Sequence, residues 1–315
     1  MASDTDINSE DESSPGSNIT NELLSPGEKF GDHQVMQCLS YDVLGGLYRM
    51  QNIKNFEEVC ITVLPQKVRS ASDFKERFAA VGEKLKNLQH PNLLQTTGYG
   101  LIDNRYVLIM EPFAGANMVE YLETFSEERL KSTEDKVPDT QGNDKEVLAD
   151  QEFGLPAQEI KNVLKQASEA LHVAHLADVT HLNLNPTSLI RASDGQVKIT
   201  GLGLSEIFGL EQFNQIVSSG VPAVQIGPQN TLINTREALS PEVLDGKMGD
   251  VNSDFYGLGF CAYYLLTGKK PGKDRAPAST FSARISQGWD QIINRCLNET
   301  SSKRYINALA LVSDL

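Results

Sequence analysis

An α+β fold of two lobes, a small β-rich one followed by a larger, mainly helical one, is predicted by three observations. Over residues 33–111 the apolar residues fall into short β-type runs interrupted by one helical stripe. Beyond Gly115 the spacing becomes helical for most of the chain. The 315 residues, 40% hydrophobic and 22% charged, are enough to bury a sizeable core.

The elements follow in order. Residues 1–32 are rich in Ser, Asp, Glu, Asn, Pro and Gly without hydrophobic period, which predicts a disordered acidic tail. Strands are expected at 33–39, 46–50 and 58–64, the last rich in β-branched residues. Phe74, Phe78, Val81, Leu85 and Leu88 form one stripe of a helix over 72–88, which the His90-Pro91 step ends. Strands at 94–101 and 105–111 flank a turn at Asp103-Asn104. This first lobe spans 33–113 and the second 114–315.

Within the second lobe, the polar stretch 124–154 reads as an acidic insertion or long loop. Pro156 opens an amphipathic helix carrying Ile160, Val163, Leu164, Ala167, Leu171 and Ala174. Short strands at 188–191 and 196–200 are joined through Ser193-Asp194-Gly195. Residues 204–240 read as irregular, 252–267 as a buried helix, and 288–298 and 304–315 as two more helices.

The chain has 42 acidic and 28 basic side chains, a net charge of −14. Nucleic acid and anionic membrane both call for a positive face, so neither is an expected partner. Segments 1–32 and 123–152 carry all but one of the excess negative charges. That acidity keeps the chain soluble or meets a protein partner, which would then be basic. Cys38, Cys60, Cys261 and Cys296 have no metal or redox spacing, and the first residues show neither a basic n-region nor an apolar h-region. A cytoplasmic location with reduced thiols is expected. The longest apolar stretch, 256–267, falls short of the ~20 residues that cross a bilayer.

Seven collinear segments resemble the protein kinase fold from about residue 33 onward, closest to bacterial serine/threonine kinases. They are HPNLLQ at 90–95, RYVLIMEPFAG at 105–115, HLNLNPTSLI at 181–190, VKITGLGLSE at 197–206, LSPEVLDG at 239–246, SDFYGLGFCAYYLLTGKKP at 253–271 and INRCLNETSSKRY at 293–305. The resemblance implies a two-lobed protein kinase-like fold, with an antiparallel N-lobe sheet carrying one helix. It places a nucleotide cleft at Ser40, Asp42, Gly45, Thr62, Met110, Glu111, Phe113 and Leu202.

At the positions that would carry phosphoryl transfer, this sequence departs from the pattern. The glycine-rich loop keeps only Gly45, and Asp42 would repel phosphates there. Thr62 stands for the phosphate-binding lysine and Val81 for its glutamate partner, a matched neutral replacement of a buried ion pair. Asn183 stands for the catalytic base, Asn185 for the catalytic-loop lysine, and Ser188 and Gly201 for the two metal ligands. Leu182 replaces the arginine that would read a phosphorylated activation segment, and Glu206 is the nearest carboxylate to Gly201 in sequence. Matching residues with structural roles remain: His181 beneath the catalytic loop, Asp254 holding its backbone, and Glu242 with Arg304 as a buried pair. His172 and His175, at i and i+3, read as packing rather than metal-binding residues.

This pattern predicts a pseudokinase, a catalytically inactive module for protein binding, scaffolding or regulation. No ATP, no magnesium and no other metal are expected to bind tightly. The alternative is a serine/threonine protein kinase with weak or atypical ATP-dependent transferase activity, in which Arg49 or Lys54 supplies the missing phosphate-binding cation.

Overall fold

Strands in the first lobe form where β-branched and aromatic residues alternate with polar ones, and the lobe is a single antiparallel sheet. The computed structural model describes residues 23–66, 73–134, 154–218 and 235–315. Six strands, β1 (Lys29–Phe30), β2 (His33–Asp42), β3 (Gly45–Asn52), β4 (Glu58–Val63), β5 (Thr96–Ile102) and β6 (Arg105–Met110), take the order β1-β2-β3-β4-β6-β5. Helix α1 (Phe74–Asn87) buries Phe74, Phe78, Val81 and Leu85. Phe78 meets Tyr99 and Tyr106 edge to face. Asp103 and Asn104 both adopt positive φ, as a tight hairpin turn requires.

Strand β2 does not end at 39. It continues to Asp42 through the pairs Ser40↔Leu47, Tyr41↔Gly46 and Asp42↔Gly45. With no glycine at 40 or 42 to loosen the backbone, the ladder is kept to the last pair. An irregularity between Cys38 and Ser40 sends Leu39 into the main core, while Tyr41 joins a second cluster with Tyr48, Met50 and Ile61. The two-residue turn Val43-Leu44 closes the hairpin, and Gly45 sits at φ +134. A Cβ there would fall 2.4 Å from the Val63 carbonyl, so only glycine fits.

The second lobe pairs strands β7 (Ala116–Asn117), β8 (Leu189–Arg191) and β9 (Val197–Ile199) with helices α2 (Met118–Glu134), α3 (Ala157–Leu176), α4 (Leu204–Phe208), α5 (Leu210–Ser218), α6 (Thr235–Ala238), α7 (Pro241–Leu244), α8 (Val251–Thr267), α9 (Gln287–Cys296) and α10 (Ala308–Asp314). Asp250 and Ser253 form a capping box at the start of α8, whose apolar residues are buried on almost every side. Gly257 lets α8 approach the chain at Leu184, where a Cβ would lie 2.4 Å from the carbonyl oxygen. One hydrophobic cluster runs through both lobes, from Leu39 and Leu47 to Phe255 and Leu258.

Three expectations about chain organisation meet the structure differently. Helix α2 continues to Glu134, well into the polar stretch 124–154, and 135–153 lie outside the described residues. Region 204–240 contains α4, α5 and α6, with 219–234 outside the description. The tail expected over 1–32 is outside the described residues up to 22, yet Lys29–Phe30 pairs with β2 and Leu24 is buried. Among the described residues no helix is long and apolar enough to cross a membrane.

Candidate active site

The segment between α3 and β8 is built on one buried carboxylate. Asp254, fully buried near the start of α8, accepts hydrogen bonds from the backbone N–H of His181 (3.0 Å) and of Leu182 (2.7 Å). It also accepts from His175 Nε2 at 2.8 Å. His175 is therefore part of this scaffold. Leu182 is held at φ 58, a conformation that a branched side chain rarely adopts. His181 donates from Nε2 to the Thr200 carbonyl at 2.7 Å, which ties the loop to the turn after β9. Burial pushes its pKa down, favouring the neutral imidazole.

Beyond His181 the loop closes on itself. Asn185 caps a 3-10 turn (Pro186–Ser188) and donates to the Asn183 carbonyl at 2.9 Å, while Ser188 completes the capping box. Asn183 is 2% exposed, and its Nδ2 donates across the cleft to Asp42 Oδ2 at 3.0 Å. Its own Oδ1 is buried with no protein partner. Asp42, at the end of β2, also accepts from Leu44 N at 2.8 Å. Burial raises its carboxyl to about 6 against the hydrogen bonds that favour the charged form.

Ser40, Asp42, Gly45, Thr62, His181, Asn183, Ser188 and Gly201 converge on a narrow crevice between the lobes. A second small cavity lies beside it, lined by Thr62, Leu85, Leu94, Leu108, Met110 and Leu202 among others. Val81 is 1% exposed in α1 and, with Thr62 at 5%, belongs to apolar packing. Glu83, two residues on, is exposed and pairs with Lys86. Glu111 accepts from the buried Lys198 at 2.6 Å, and the Cys60 thiol donates to the Phe113 carbonyl at 3.5 Å. Glu206 pairs with Lys84 at 2.7 Å, so it is engaged away from Gly201. Arg49 pairs with Glu58 and Lys54 with Asp32, and neither lines the cleft cavities.

Glu242 and Arg304 meet through two hydrogen bonds of 2.6 and 2.8 Å. Burial works against the Glu242 carboxylate, but Arg304 and Ser253 outweigh it and lower its pKa to about 2. Asn117 is a residue that the sequence pattern did not single out. It is 2% exposed, donates to the Leu39 carbonyl at 3.1 Å and accepts from Val119 N and Glu120 N at the start of α2. Its place between a glycine-containing bend and a helix is a capping signal, but the bond to Leu39 has none.

An antiparallel lobe over a helical lobe, with a cleft between a hairpin turn and a loop held by a buried Asp, is the two-lobed kinase fold. The family model of the protein kinase domain matches residues 43–311, and the chain belongs to that family. It is 22% identical to the serine/threonine-protein kinase PrkC of Bacillus subtilis over 76% of this chain and 31% of that protein. It is 22% identical to PknA of Corynebacterium glutamicum over 83% of this chain and 48% of that one. The chain thus spans less than half the length of these curated relatives. In fold it is similar to the kinase domain of Mycobacterium tuberculosis PknI, with a TM-score of 0.61, 18% identity, and coverage of 92% of this chain and 97% of that one.

These findings correct two expectations. The family is one of enzymes and the relatives are serine/threonine kinases, so the expectation of a non-enzyme is overturned. The expectation that ATP and magnesium are not used falls with it, because kinases of this family use both. The closed cleft does not itself fit a magnesium nucleotide. No lysine or arginine lines either cavity, and no group of three His, Cys, Asp or Glu that could hold a metal occurs among the described residues.

Proposed function

We propose that this chain is a serine/threonine protein kinase of atypical, weak ATP-dependent transferase activity, with Asp42 acting as the proton acceptor that Asn183 cannot be. The observation that carries this reading is the Asp42–Asn183 hydrogen bond, which puts a carboxylate from the hairpin turn against the catalytic loop. An amide does not take a hydroxyl proton near neutral pH, whereas a carboxylate held near 6 does so efficiently. The unpartnered Asn183 Oδ1 is an acceptor for the hydroxyl of a serine or threonine side chain. The protein partner in this reading is the substrate, and a basic one would suit the acidic segments 1–32 and 123–152.

The test is radiolabelled phosphoryl transfer to a serine/threonine-containing basic protein by the full chain and by Asp42→Asn. General-base loss lowers the rate by roughly 10²–10⁴-fold, with the thermal melt little changed because the new amide oxygen still accepts from Leu44 N and its NH2 group can donate to the Asn183 oxygen once that amide turns over. No transfer above the blank, or an Asp42→Asn variant as active as the parent, overturns the proposal.

A further inference from the structure

One stretch of the chain runs against its overall negative charge. Residues 268–284, between α8 and α9, hold five basic side chains, Lys269, Lys270, Lys273, Arg275 and Arg284, against one acid, Asp274. Outside segments 1–32 and 123–152 the chain is close to neutral, so a local excess of four positive charges stands out on its surface. The stretch is fixed to the second lobe. Helix α8 is capped by Gly268 in the left-handed conformation, and the Thr267 hydroxyl accepts from Lys269 N at 3.1 Å. The Tyr263 hydroxyl donates to the Ala276 carbonyl at 3.1 Å, and Arg275 donates to Asn294 on α9 at 2.9 Å. Phe281 packs edge to face on Tyr263, and the Lys269 ammonium lies 4.7 Å from the Phe281 ring centre.

We propose that this basic strip, with Lys269, Lys273 and Arg284 exposed on it, is a docking surface for a carboxylate-rich segment of a partner protein. The carboxylates packed around it are engaged, Glu237 by Lys270 and Asp290 by Ser279 N, so they leave the positive excess in place. Lys269 and Lys270 stand where they complement the dipole at the end of α8, but Lys273 and Arg284 lie beyond its last turn, and the dipole does not call for them. Charge complementarity therefore selects an acidic occupant. Most of the exposed cations are lysines, compact point charges that suit carboxylates scattered along a flexible segment more than one planar anion. The strip lies outside the crevice of Asp42 and Asn183, so its occupant is distinct from the substrate of the proposed activity.

The test is binding, without reference to phosphoryl transfer. A fluorescein-labelled oligoglutamate should bind the full chain saturably, and the complex should weaken as salt is added. Combining Lys269→Glu, Lys273→Glu and Arg284→Glu should weaken it by about tenfold or more. The same charge change made elsewhere, with Lys29→Glu, Lys75→Glu and Lys161→Glu, should have a much smaller effect. In the unmutated chain, carbodiimide coupling of the peptide carboxylates should fall on Lys269, Lys270 and Lys273, a readout that does not depend on any variant folding. Absence of saturable binding, equal weakening by the two sets of substitutions, or coupling spread evenly over the exposed lysines overturns the proposal. Self-association of the parent that the first set abolishes gives the strip to a second copy of the chain and overturns it equally.

Discussion

Asn183 Nδ2 lies 3.0 Å from Asp42 Oδ2, a hydrogen bond between residues 141 positions apart that joins the lobes across the cleft. In the activity proposed above, Asp42, read from sequence as a charge that repels phosphate, is the base beside the catalytic loop, and Asn183 is its donor. The pairing exists because β2 keeps its ladder to Asp42, and because Asp254 holds the backbone at His181 and Leu182 so that the next side chain points up into the cleft.

Opening of the hairpin should depend on pH. The closed state raises the Asp42 carboxyl from its usual range near 3.8 to about 6, chiefly by burial, and release would return it to water. Between these values the closed form binds a proton that the open form does not. Closure is therefore favoured at low pH and weakened as pH rises through about 6. The titratable group sharing its cavity is His181, kept neutral by burial, while Asn183, Thr62, Thr187, Ser188 and Leu204 supply no charge. Intrinsic-rate-corrected exchange of amides 39–47 should quicken from pH 5 to pH 7, and Asp42→Asn should flatten that profile. A profile that Asp42→Asn leaves unaltered contradicts the assignment.

Asn183→Asp sets two carboxylates against each other where one hydrogen bond stood. Both cannot ionise cheaply at this distance, so one pKa rises and the hairpin is pushed outward above neutral pH. The variant also places an acid at the family's own base position. Faster exchange of the hairpin and higher transfer than the parent are expected together, measured by exchange mass spectrometry and radiolabel incorporation. Lower transfer in a stably folded variant would count against the placement of the base at this contact.

Much of the second lobe was legible in the sequence because its supports are set by short motifs with buried partners. His181, Asp254, Glu242 and Arg304 each stand in a segment that specifies its own local shape, with His181 bonded to Asp254 and Thr200, and Glu242 to Arg304. What escaped was contact between distant segments. Asn117 reads locally as a helix cap, and nothing near it in sequence indicates the Leu39 carbonyl 78 positions away. His175 was read as packing, while its imidazole completes the Asp254 hub. The register of β2 beyond 39 was missed for a different reason. A degenerate glycine loop reads as a loop by position, although Ser40-Tyr41-Asp42 has the composition of a strand end.

The Thr62–Val81 replacement predicts a sharp asymmetry. Thr62→Lys alone places an ammonium beside an apolar cavity lined by Leu85, Leu94 and Leu108, where the one carboxylate of the adjoining crevice, Asp42, is already engaged by Asn183 and Leu44 N. An unpaired buried charge is strongly destabilising, by about 3–5 kcal/mol when a partner is lacking. Adding Val81→Glu supplies that partner from α1 and should recover part of the loss. Denaturant unfolding of the two single variants and the double variant measures the coupling. A double variant no more stable than Thr62→Lys would show that these positions do not face one another.

The Glu242–Arg304 pair gives the clearest stability prediction, because Arg304 is fully buried and Glu242 partly so. Arg304→Met leaves the carboxylate with Ser253 but no cation beside it, and breaking such a pair costs about 3–5 kcal/mol. For a chain of this size that corresponds to a fall of roughly 10 °C in melting temperature. Replacing both partners, in Arg304→Met with Glu242→Leu, should restore most of it. The sign of the pH effect is also fixed. The native carboxyl lies at about 2, below its usual 4.5, so the pair's contribution is complete above 4.5 and is lost as pH falls through 2. Acid titration of unfolding free energy should show this loss in the parent and its absence in the double variant; matching acid profiles would remove Glu242 as the source.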